Sequence, residues 1–76
     1  MEVSISNLKV NENGKIIKVI SDIHLRRRLY EFGLFAGQLV YVLSISPLKN
    51  TFIISVNGYA LALRKSILDA IFVEKL

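Results

Sequence analysis

Two hydrophobic periods alternate along this chain, and each switch between them is marked by a turn or cap residue. Lys15–Ile20 reads KIIKVI, a β-branched run that follows Asn13-Gly14, a turn dipeptide, and predicts a strand. From there the spacing lengthens. Leu25, Leu29 and Phe32 fall on one face at helical periodicity, with Arg27 and Glu31 pointing away from it. Ser21 and Asp22 supply an N-cap for a helix carrying His24 to Phe32, and Gly33 takes the C′ position, with Leu34 folding back on Leu29. Ala36-Gly37 suits the centre of a type II turn.

A period of two then returns. In Gln38–Ser46, Leu39, Tyr41, Leu43 and Ile45 share one face, and Val40, Val42 and Ser44 the other. Pro47–Asn50 reads as a turn into the strand Thr51–Asn57, and Gly58 separates this from Tyr59–Leu63. Arg64–Ala70 predicts a second helical turn, and Ile71–Glu74 a last strand that pairs with the first. Upstream, Ser4–Leu8 reads as a short turn or helical start. The pattern predicts a mainly β fold: a small five-stranded barrel with one short amphipathic helix, in one domain over residues 1–76.

Composition narrows the class. The chain has 76 residues, 53% hydrophobic and 21% charged, which fits a compact ordered domain with no room for a second. No apolar run approaches the roughly 20 residues that span a bilayer. The N-terminus lacks a basic start followed by a long apolar core, and cysteine is absent, so a cytoplasmic location is expected. Ten Lys and Arg against six Asp and Glu give a formal charge of +4, which raises the expectation of an acidic partner. The basic residues are spread out except for Arg26–Arg28 and Arg64-Lys65, and the longer like-charge blocks of nucleic-acid tails are absent.

Little chemistry is encoded. With one histidine, no Gly-rich phosphate loop, no nucleophile elbow and no pair of carboxylates at acid–base spacing, no enzyme is expected. His24 stands beside three arginines, and one imidazole is too few for a structural zinc site, so it reads as a solvated residue at the start of the helix and no metal ligands or cofactors are assigned. Arg27 is placed to pair with Glu31. Arg26 and Arg28 flank the apolar stripe, and with Leu34 and Phe35 they form the candidate partner-binding residues, because arginine and aromatic side chains are enriched where binding energy concentrates. Gly33, Gly37 and Gly58 are structural turn positions. Tyr41 and Tyr59 are expected to bury a ring and leave the hydroxyl in water.

The pattern L-R-R-R-L-x-E-x-G-L-x-x-G-Q-x-V-x-V, from Leu25 to Val42, resembles the signature of the FeoA (ferrous iron transport protein A) family. S-x-x-N-L near the start, N-G-K-I-I-K-V-I, P-L-x-N and G-Y-A-L-A-L-R extend the resemblance over nearly the whole chain. Two positions depart from it: Ala36 stands where many members carry proline, and Val10-Asn11 where many carry Pro-Gly. The resemblance implies an SH3-like fold and a non-enzymatic, cytoplasmic accessory of bacterial ferrous iron uptake. Its implied partner is the permease FeoB, met at the cytoplasmic GTP-binding region, with membrane association only through that partner. The module also resembles the C-terminal SH3-like domain of the DtxR family of metal-dependent repressors, a context that the lack of a DNA-binding helix pair disfavours. The rival readings are a nucleic-acid-binding small basic barrel and a metal-responsive regulatory domain that binds transition metal ions.

Overall fold

The computed structural model describes residues 1–76. Strand β1 (Glu2–Ser4) leads into a 3-10 turn at Ile5–Asn7, then β2 (Asn13–Val19), helix α1 (Ile23–Glu31), β3 (Leu39–Ile45), β4 (Thr51–Val56), β5 (Tyr59–Arg64), a short helix α2 (Lys65–Leu68) and β6 (Ile71–Lys75). The strands form one antiparallel sheet in the order β1-β6-β2-β3-β4-β5. As the alternation predicts, the last strand pairs with β2; it also carries the three-residue β1 on its other side, one strand more than the sequence pattern shows. The sheet curls around a core of 13 buried residues, to which β4 contributes Phe52, Ile54 and Val56. Helix α2 spans the gap between the ends of the sheet, where the Ser6 hydroxyl donates to the Asp69 carboxylate.

Two irregularities shape the curl. The ladder between β3 and β4 slips between Val42 and Ser44, and that between β2 and β6 slips between Ile16 and Lys18. Each slip is a bulge, which inserts one residue and reverses the alternation beyond it. Ser44 and Lys18, which unbroken alternation would turn inward, are therefore exposed, and Val19 packs on the core. Ile45, expected on the same face as Leu43, instead stands opposite buried Phe52 and packs on the core.

The first turn lies elsewhere than expected. Asn13 and Gly14 are inside β2, and the chain reverses at Val10-Asn11, where Glu12 N–H donates to the Lys9 carbonyl over 3.0 Å and Asn11 has φ 73°. Gly14 is needed for space: a Cβ there would lie 2.8 Å from Val73 Cγ2. Asn57-Gly58, both at positive φ (52° and 86°), close the β4–β5 hairpin as a two-residue turn.

Candidate functional site

Helix α1 and the loop after it hold the residues singled out from the sequence. Asp22 is the N-cap: its carboxylate accepts from Leu25 N–H over 2.9 Å. That bond, with a further backbone bond from His24, holds the Asp22 carboxyl below its ordinary value. At the other end Leu34 N–H donates to the Leu29 carbonyl over 2.8 Å and Gly33 N–H to Tyr30 over 3.0 Å, with Gly33 at φ 91°. These two bonds make the Schellman stop that the Leu-Gly-Leu spacing predicts. Gln38 N–H then donates to the Phe35 carbonyl, with Gly37 at φ 98°, which places Ala36-Gly37 at the centre of the expected turn. Backbone bonds between Gly37 and Ile16 and between Ile16 and Gln38, both 2.8 Å, pin the loop to β2.

On this frame the candidate residues separate. Leu34 is 1% exposed and belongs to the core, so it leaves the contact surface: the Schellman stop turns its side chain inward beside Leu29. Arg26, Arg27 and Arg28 are all exposed. The ion pairs of the chain join Met1 with Glu74, Lys18 with Glu2, Lys65 with Asp69 and Lys75 with Glu12, which leaves the three arginines without a carboxylate partner. The expected Arg27–Glu31 pair is not made. Phe35 is half-buried, and its ring lies against that of Tyr30 at 4.7 Å between centroids, tilted by 32°. Tyr30 is 63% exposed and was not among the sequence candidates; its spacing of four from Arg26 was the signal available.

Helical geometry settles which arginine joins this aromatic pair. Residues four apart share a face and residues two apart do not. Arg26 therefore lies on the flank of Tyr30 and Phe35, whereas Arg28 lies on the opposite flank, next to exposed Phe32. The two arginines expected in one contact surface thus lie on separate flanks of the stripe, and the richer flank is that of Arg26, Tyr30 and Phe35. Phe32 itself, expected on the buried stripe, is 41% exposed because it caps the helix, and its carbonyl accepts the Tyr59 hydroxyl. That bond also corrects the reading of Tyr59, whose hydroxyl is held by protein. Tyr41 is held likewise, donating to Asn11 Oδ1 over 3.1 Å.

His24 is exposed at the start of α1, and no group of three or more His, Asp or Glu side chains converges to hold a metal ion. Two concavities indent the surface. One, of about 390 Å³, is polar and includes Arg64 and Lys65; the other, of about 600 Å³, has Leu8, Ile45 and Phe52 in its lining and lysines 9, 49 and 65 around them. Neither is lined by a carboxylate or an imidazole. No helix is long and apolar enough to cross a membrane.

Comparison with known proteins agrees with this architecture. A family model described as the FeoA domain matches residues 3–75. A crystal structure of an iron uptake regulatory protein (FeoA) superposes with a TM-score of 0.92 at 29% identity over 100% of both chains. A FeoA-like protein from Clostridium acetobutylicum follows at TM-score 0.90 and 25% identity, covering 99% of this chain and 87% of the other. The fold is also that of a Stenotrophomonas maltophilia FeoA, an SH3-domain protein complexed with zinc, at TM-score 0.82 and 22% identity over 95% and 89% of the two chains. No curated protein matches.

Proposed function

Given that this chain belongs to the FeoA family, which is linked to ferrous iron transport, we propose that it is a non-enzymatic, cytoplasmic accessory of ferrous iron uptake. It docks on the GTP-binding region of a FeoB-type permease and alters the transporter's assembly or nucleotide cycle without carrying iron itself. The contact surface is the Arg26, Tyr30 and Phe35 flank of α1, with Arg28 a secondary contact on the other flank. The observation that carries this reading is a run of arginines with no carboxylate partner beside an aromatic pair made of exposed Tyr30 on α1 and half-buried Phe35 on the pinned loop. Unpaired guanidinium groups keep their donors for an incoming acidic surface, and a pinned loop loses little freedom on binding.

Titration against the isolated GTP-binding region tests it, in several nucleotide states and at two salt concentrations. Arg26→Glu and Phe35→Ala should each weaken saturable binding by about tenfold or more, the cost of losing a central anchor of an interface. Arg28→Glu should cost less. Undiminished binding by Arg26→Glu and Phe35→Ala would remove this surface. Salt-sensitive binding to single-stranded nucleic acid in place of the permease region would favour the basic-barrel alternative.

A further inference from the structure

The sheet has two edges, and they are finished differently. β1 is three residues long, with ion pairs from the Met1 amine to Glu74 and from Glu2 to Lys18 along it. A short, charged edge resists the addition of another strand. β5, at the opposite edge, has six residues reading Tyr-Ala-Leu-Ala-Leu-Arg, pairs with β4 in continuous register, and carries no proline and no charge before its last residue.

The register shows which of its backbone groups are free. The two-residue turn at Asn57-Gly58 makes Val56 and Tyr59 a hydrogen-bonded pair, and antiparallel alternation then turns Leu61 and Leu63 toward β4 as well. The N–H groups of Ala60, Ala62 and Arg64 and the carbonyls of Ala60 and Ala62 point away from the sheet. No loop, turn or side-chain hydrogen bond reaches Ala60 or Ala62. Their side chains, two exposed methyl groups, offer no obstacle to a neighbouring strand.

We propose that two copies of this chain associate through β5, antiparallel about a two-fold axis at Ala62, and so join their sheets. This arrangement faces Ala62 with its own copy and Ala60 with Arg64 of the second chain, which pairs the outward carbonyls of Ala60 and Ala62 with the N–H groups of Arg64 and Ala62 and leaves only the Ala60 N–H to water. It also sets the half-buried Leu61 opposite Leu63 of the other copy, covering the apolar surface each leaves open. Charge selects this orientation. Antiparallel pairing holds the two Arg64 residues about 13 Å apart, four strand residues, whereas parallel in-register pairing would bring them to about 4.8 Å. Beyond the seam, the outer face continues through exposed Ile53, Tyr41 and Leu39 with no charged residue among them. A single strand pair is a small interface, so the dimer is a weak one.

Sedimentation equilibrium from roughly 10 μM to 1 mM, the range of weak association, tests the proposal. The average mass should rise above the 8.6 kDa of one chain, and Ala62→Lys, which opposes two ammonium groups on the axis, should hold it there. Circular dichroism should show Ala62→Lys folded, since Ala62 is exposed. The chain has no cysteine, so Ala62→Cys introduces one thiol, and a short bismaleimide should cross-link it at least tenfold faster than Glu2→Cys on the guarded edge. A single 8.6 kDa species at the highest concentration, a dimer that Ala62→Lys leaves intact, or equal cross-linking at both edges would each overturn it.

Discussion

Gly14 shows how one residue can be chosen by a neighbour far away in the chain. Its Cβ would meet Val73 Cγ2 at 2.8 Å and the Glu74 carbonyl at 3.1 Å, so Gly14→Ala forces β2 and β6 apart. Overpacking of this kind costs about 1–3 kcal/mol, and thermal unfolding should show it as a clear drop in Tm. The carboxylates give a second residue-scale prediction. Asp22, Glu12 and Asp69 are held below their ordinary values, by the Leu25 N–H, by Lys75 and by the Ser6 hydroxyl respectively. A lowered folded-state value means that the folded chain prefers the ionised form. The stability from each is therefore complete above its ordinary value, 4.5 for Glu12 and 3.8 for the two aspartates, and is lost as pH falls through the lower folded value. Tm should be flat near neutrality and decline below about pH 4.5. The triple variant Glu12→Gln, Asp22→Asn, Asp69→Asn should decline less steeply, and an equal slope would assign the acid limb to other groups. Asn13-Gly14 was misread for the same reason that Gly14 matters: the dipeptide favours a turn locally, but packing against β6 keeps it in a strand.

The stop of α1 is an element-scale device, because it decides which of two adjacent apolar residues faces solvent. Leu34→Ala removes a core side chain and should cost about 2–5 kcal/mol. Phe35→Ala should leave Tm within a few degrees of the parent while weakening permease binding, so the pair separates packing from docking when Tm and affinity are measured together. Gly33→Ala places a side chain at φ 91°, a left-handed conformation that costs roughly 1–2 kcal/mol, and it should loosen the loop that carries Phe35. The cap, the helix, the glycine stop and the Ala36-Gly37 turn were legible because each depends on residues within a few positions. The bulges at Ile17 and Leu43 were not, since a strand's own alternation does not show where its partner slips. β1 escaped notice because three residues are too few to display a period.

For the whole molecule, electrostatics affects association far more than folding. All the ion pairs are at the surface, where such pairs contribute little and salt screens them. Raising salt from about 0.05 to about 0.5 M should therefore move Tm by no more than ~2 °C, while the on-rate to an acidic partner surface falls severalfold. Calorimetry and stopped-flow binding on the same sample check both halves. A large salt effect on Tm would show that charge contributes more to folding than these exposed pairs allow.

The sequence by itself determined the element order from β2 onward, the positions of the helix cap and stop, most of the turns and the family resemblance, because these follow from local backbone preferences and from spacing that each segment carries alone. Only the tertiary structure decided that Leu34 is core and Phe35 surface, that Tyr30 meets Phe35, and that β5 is left as an open edge. Those outcomes depend on which segments meet across the sheet, and no segment records its partner in its own pattern.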